Sequence, residues 1–131
     1  MTTRLGVALK NARLQAVLDK LDAGASHGTV KLYTSPRIAA IGDTPTGTLV
    51  ATLDLAEPCG SVTSGVATLG LPADSAVIAD GVVTWALWCD GDGNQVMDTD
   101  VGNLASSAEV RISNTNCTVG MLLTTYLANM T

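Results

Sequence analysis

Residues 82–100 read VVTWALWCDGDGNQVMDTD, and whether this stretch is a calcium loop or a β-hairpin decides the fold. An EF-hand loop takes oxygen ligands at positions 1, 3 and 5, glycine at 6 and a bidentate acid at 12. Counted from Asp90, position 6 is Gln95 and position 12 is Val101, so the register fails twice. The flanks disagree as well, because VVTWALWC alternates Val83, Trp85, Leu87 and Cys89 on one face, the pattern of a half-buried strand. Gly91, Gly93 and Asn94 tolerate positive φ, and Asp side chains accept hydrogen bonds from nearby backbone N–H groups, which is turn chemistry. The stretch therefore reads as a hairpin. A weak, adventitious cation site at Asp90, Asp92 and Asn94 is the alternative. Asp98 and Asp100 alternate with Met97 and Thr99, as on a polar strand face.

Period-2 alternation extends on both sides of the hairpin. TVKLYT alternates Val30 and Leu32 with polar partners, and TLVATLDL places Leu49, Ala51, Leu53 and Leu55 on one face. SVTSGVATLGL, AVIA, QVMD, AEVRIS and TVGMLLTTYLANM are further strand segments, separated by SPR, GDTPTG, EPCG, PADS, ADG and NTN. The longest loop, SPRIAAIGDTPTG, is the expected contact surface. Before Gly28 the period is helical: Leu5, Leu9 and Ala12, then Leu14, Val17, Leu18 and Leu21, recur at helical spacing. Thr2 or Thr3 is the expected N-cap and Gly24 the stop. The expected fold is mainly β: one domain spanning 1–131, a β-sandwich or jelly-roll-like arrangement over about 28–131, with a single N-terminal amphipathic helix over about 3–23. The helix must bury its apolar stripe on the domain or on a neighbouring copy. Leu5, Leu9, Leu14 and Leu18 are its interface candidates.

A chain of 131 residues buries roughly two thirds of the surface of its unfolded form, enough for a self-sufficient core. With no Phe and only Trp85, Trp88, Tyr33 and Tyr126 as aromatics, that core is built of small aliphatics. Trp85 and Trp88 have opposite parity on one strand, so one faces the core and the other, Trp88, is a candidate interface anchor. The net charge of −5 argues against nucleic acid as a partner, because phosphate binding needs a surplus of Lys and Arg. The charge is also uneven: through Arg37 six basic residues face only Asp19 and Asp22 (+4), and from Ile38 onward Arg111 alone faces ten acids (−9). Such asymmetry suits contact with a neighbouring copy or a host lattice, or else marks a solvated basic helix on an acidic domain. Cys59, Cys89 and Cys117 are odd in number and never at CxxC spacing, so they read as buried, reduced thiols made in a reducing cytoplasm. No apolar run matches a signal peptide or a membrane span.

No catalytic constellation emerges. The one histidine, His27, sits in a Gly- and Ser-rich loop without a nucleophile partner. Carboxylates such as Asp90, Asp92, Asp98 and Glu109 offer pairs, yet the aromatic platform for a sugar is thin. No P-loop lysine follows GLPADS or GDGNQV. The expectation is a protein that is not an enzyme and holds no cofactor.

Taken in order, TRLGVALKNARLQAVLDKLDAG, GTVKLYTSPR, PTGTLVATLDL, GVATLGL and GVVTWALWCDGDGNQVMDTDVG resemble a group of small virion proteins of tailed bacteriophages. Shared elements are a helix ending in a Gly-rich turn, an L-x-I/L-Y-T strand, a G-T-L-L-A-T-L strand and a W…D-S-D-G-N-x-V-M-D-G-x-V-G hairpin. Cys89 to Asn94 reads CDGDGN here, and Thr99 and Asp100 stand where the group has a Gly and a small residue, which makes the second hairpin strand more acidic. The resemblance implies a β-rich structural subunit made in the host bacterial cytoplasm and carried in the virion. Its leading role is a capsid decoration, or cement, protein that binds the major capsid protein as a homo-oligomer, a dimer or trimer. The second role is a tail-associated or head-to-tail joining subunit. A calcium- or carbohydrate-binding adhesion module is the reading from a different class.

Overall fold

The structure, a computed structural model, describes residues 4–69, 74–106, 108 and 110–127. It is mainly β, with one N-terminal helix and a curled sheet in a single-domain, sandwich-like arrangement. Helix α1 spans Val7–Asp22, and the strands are β1 Thr29–Thr34, β2 Leu49–Asp54, β3 Gly60–Thr63, β4 Val66–Leu69, β5 Asp74–Ala76, β6 Gly81–Cys89, β7 Gln95–Gly102, β8 Val110–Ile112, β9 Asn116–Cys117 and β10 Leu122–Leu127. The main sheet runs β2-β1-β6-β7-β8-β10-β5, with β9 also pairing β6 and with β3-β4 as a separate hairpin. All pairings are antiparallel except β7 with β8. The sheet curls until its ends meet, where Ile78 N–H donates to Val50 O at 2.8 Å.

Alternation places β1 and β2 where it was expected, but three local features escape it. SVTSGVATLGL is a hairpin, not one strand: Ser64 and Gly65, both at positive φ (52° and 79°), form a two-residue turn between β3 and β4. The short strand β9 begins at Asn116, the last residue of the NTN turn segment. In β6 the pairing with β1 skips Thr84, since Tyr33 opposes Trp85 and Thr34 opposes Val83. One extra residue in a strand reverses its parity. Val83 therefore joins Ala86 and Trp88 in the main core, while Trp85, Leu87 and Cys89 form a second cluster with Tyr33 and Ile38 on the other face. The expected single face of Val83, Trp85, Leu87 and Cys89 is corrected accordingly.

Both tryptophans are buried, Trp85 to 1% and Trp88 to 2% exposure. Trp88 is thus not a surface anchor. A strand covered on both faces reads as a continuous apolar run, which is what WALWC is. Each indole N–H has a partner inside: Trp85 Nε1 donates to Thr34 O at 2.9 Å and Trp88 Nε1 to Thr99 Oγ1 at 2.9 Å.

The helix begins later than expected. Its N-cap is Gly6, with Lys10 N–H donating to Gly6 O at 3.0 Å and no side-chain cap bond. Thr2 and Thr3 lie outside the described residues. Leu14, Leu18 and Leu21 pack on the domain, whereas Val7 and Leu9 are each 55% exposed. The helix therefore fills the core with its carboxyl half and stands free with its first turns. Asn11 Oδ1 accepts from Gly65 N–H at 2.7 Å and Asp22 Oδ1 from Cys59 N–H at 2.9 Å, clamping β3 and β4 to it. Leu18→Ala is expected to cost about 2–5 kcal/mol, and Leu9→Ala less than about 0.5 kcal/mol, in denaturant unfolding of dilute protein. Equal losses would mean that both halves of the helix are core.

Candidate interaction surfaces

The acidic tip 90–94 is built as a self-satisfied turn. Asp90 Oδ1 accepts from Asp92 N–H at 3.0 Å and Asn94 N–H at 2.9 Å, and Asp90 Oδ2 accepts from Asn94 Nδ2 at 3.3 Å. Asp92 Oδ1 reaches across to Ala25 N–H at 3.1 Å, and Gly91 N–H donates to Ala23 O at 2.8 Å. The tip is thus buttoned to the end of α1: of the three residues considered for a cation, Asp90 accepts through both carboxylate oxygens, Asp92 through Oδ1, and Asn94 donates to Asp90. Among the described residues no cluster of three or more His, Cys, Asp or Glu is placed to hold a metal ion. Two glycines permit this contact. Gly24 has φ +102°, and a Cβ there would lie 2.7 Å from Asp92 N; a Cβ on Gly91 would collide with Ser26 O.

The long loop 35–48 lies over the second face of the sheet. Thr34 N–H to Thr48 O (3.0 Å) and Thr48 N–H to Thr34 Oγ1 (2.8 Å) close its base. Arg37 Nε donates to Asp98 Oδ2 at 2.8 Å, Gly42 N–H to Gln95 Oε1 at 2.7 Å, and Gln95 Nε2 to Asp43 O at 2.9 Å. Beneath it Tyr33 and Trp85 stack, with ring centroids 5.0 Å apart and planes 17° from parallel. The loop expected to be a contact surface therefore closes over part of this chain's own sheet, as a strap riveted to β7. The register confirms the polar alternation of β7: Asp98 opposes Leu87 and Asp100 opposes Trp85, while Met97 opposes Trp88 on the core side.

The remaining sequence candidates divide. Leu14 and Leu18 belong to the fold's interior and are not surface sites, because the carboxyl half of α1 packs on the domain. Leu5, ahead of the helix, is half-buried, and Leu9 is exposed together with Ala8, Ala12 and Ala16. His27 is half-buried in the loop after α1: its Nδ1–H donates to Gly28 O at 3.3 Å, and Asp54 Oδ1 lies 3.9 Å away. Glu109 lies outside the described residues. Cys59, Cys89 and Cys117 are all free and buried. Burial first, then the nearby Asp22 carboxylate, push the Cys59 thiol up to about 12, so it stays protonated and donates to Leu18 O at 3.6 Å.

A second apolar surface was missed. Val77 and Leu123 point inward, while Ala76, Ile78 and Leu122 point out, Leu122 directly opposite Ala76. Val77 N–H to Met121 O (3.0 Å) and Gly120 N–H to Val77 O (3.2 Å) bring the turn at Val119 beside them. Ile78, Val119 and Leu122 are 61%, 59% and 65% exposed. AVIA and TVGML have no alternation that distinguishes an outward aliphatic from an inward one, so only the pairing reveals this ridge.

Comparison with family models, with curated proteins and with solved structures found no match for the chain.

Hydrogen bonds from the backbone of Asn94 foremost, and from Asp92, hold the Asp90 carboxyl below its usual 3.8. The Arg37 guanidinium does the same for Asp98. A carboxyl whose pKa is lower folded than unfolded adds stability above its unfolded pKa, and that stability is lost as pH falls through the folded value. The thermal midpoint is therefore expected to fall as pH drops below about 4, and to fall less steeply in Asp90→Asn/Asp98→Asn. An unchanged slope would remove both carboxylates from the account. Gly91→Ala is expected to lose about 1–3 kcal/mol by chemical denaturation, while added calcium leaves the wild-type midpoint where it was.

Proposed function

We propose that this chain is a structural subunit of a tailed-phage virion, a decoration protein that binds the major capsid protein lattice and braces the head. The observation that carries the reading is the exposure of apolar side chains at two separate places on one small β domain: the free first turns of α1, and the ridge of Ile78, Val119 and Leu122. The carboxyl end of α1 is fixed to the tip beyond the end of β6, whereas the ridge adjoins its beginning. A protein that covers a lattice needs one surface for the lattice and another for its neighbour, and each contact buries aliphatic area. The acidic remainder of the chain keeps such a subunit soluble and repels packaged DNA.

The sequence resemblance supports the same reading. The segments that carry it fall on α1, β1, β2, β4 and the β6–β7 hairpin, the elements around which the rest of the chain is packed. Quantitative mass spectrometry of purified particles is the test. A copy number of the same order as the major capsid protein is expected. A ring's worth of copies would replace decoration with the tail or head-to-tail joint, and absence from the particle would overturn the structural reading.

A further inference from the structure

We infer that copies of this chain join head to tail, the free amino-terminal half of α1 of one copy seating on the Ile78, Val119 and Leu122 ridge of the next. Both surfaces are exposed and aliphatic: on the helix Leu9, 55% exposed, shares a side with Ala12 and Ala16, and the three ridge residues are 59–65% exposed. Their charges are opposite. The helical surface carries Arg4, Lys10 and Arg13 and no acid up to Gln15. The segments that form the ridge, 74–82 and 114–125, carry Asp74 and Asp80 and no Lys or Arg. Asp80 sits at its rim, with Oδ1 accepting from Val119 N–H at 2.8 Å.

Packing on the parent domain leaves the helix free to do this. Leu14, Leu18 and Leu21 hold its carboxyl half, while in the amino half Asn11 Oδ1 accepts from Gly65 N–H and the Lys10 side chain lies beside Gly65. The ridge lies away from that attachment, on β5 and β10. A single chain cannot fold its own helix onto its own ridge without leaving the core. Two different patches in contact make a heterologous interface, which closes into a ring or continues as a chain. Complementary charge around an aliphatic centre gives such a contact its orientation and its salt dependence.

The inference deepens the proposed function by naming the neighbour contact, but it concerns the free chain and is tested without capsids. Sedimentation velocity on the full chain at low salt is expected to show assemblies that grow with concentration and shrink with added salt. Leu9→Asp and Leu122→Asp should each be monomeric with an unchanged melt, since neither side chain is buried; Leu9→Ser and Leu122→Ser provide a milder pair if a melt shifts. The decisive sample is the equimolar mixture. Leu9→Asp keeps an intact ridge and Leu122→Asp an intact helix, so the mixture should form a dimer of one copy of each and nothing larger. A monomeric wild type, a Leu122→Asp variant that still assembles, or a mixture that stays monomeric would each overturn the inference. Chains that assemble in this way yet are absent from particles would count against the function alone, and monomers that still coat particles against this contact alone.

Discussion

Trp85 and Trp88 lie on opposite faces of β6, and the rest of the domain is arranged to cover both. In a chain without phenylalanine the two indoles are the largest side chains available to centre a core, and a buried indole must also find an acceptor for its N–H. Trp88 obtains Thr99 from the neighbouring strand β7. Trp85 obtains the carbonyl of Thr34, the last residue of β1. Those two bonds fix β6 against β1 on one side and β7 on the other. Everything added afterwards, the helix and curled strands on one face and the 35–48 strap on the other, closes a surface that these rings leave apolar.

The bulge at Thr84 explains why alternation was a reliable guide to the strands and a poor one to their faces. TVKLYT and TLVATLDL pair without interruption as far as Leu32 and Ala51, so reading every second residue gave Val30, Leu32, Ala51, Leu53 and Leu55 correctly; beyond that point the pairing skips Val50, and Val50 rather than the expected Leu49 is buried in the core. In β6 a skipped residue separates Val83 from Trp85, and nothing in VVTWALWC marks where the skip falls. The same segment shows both faces apolar, which periodicity cannot tell from a half-buried strand with one hydrophobic error. The strap was legible as a loop but not as a cover, because its attachment depends on Gln95 and Asp98, about fifty to sixty residues away. The ridge was invisible for a similar reason: Ala76, Ile78 and Leu122 become one surface only through the β5–β10 pairing.

The carboxylates of the acid-rich tip have structural work of their own. The oxygens of Asp90 converge on the N–H groups of Asp92 and Asn94, and Oδ1 of Asp92 on the N–H of Ala25. The failure of the EF-hand register at Gln95 and Val101 was readable in the sequence. What the carboxylates do instead was not, since it requires the end of α1 to arrive within hydrogen-bond distance of a hairpin sixty-seven residues further along the chain. That contact also makes Gly24 and Gly91 necessary, one on each side of a backbone approach with no room for a Cβ.

The helix is then fixed at one end and spare at the other, and this asymmetry connects the fold to assembly. A helix that served only the core would end where its buried leucines end, near Leu14. This one continues for seven residues beyond, carrying Val7, Leu9, Lys10 and Arg13 into solvent. Aliphatic side chains in water are a standing cost that a small domain carries without consequence when they are scattered singly. Gathered on one projecting element, and matched by an apolar, acid-rimmed ridge elsewhere on the same molecule, they are the two halves of the contact proposed between copies. Because helix and ridge are different surfaces, a contact of that kind has a polarity: it joins subunits in one direction rather than pairing them about a two-fold axis.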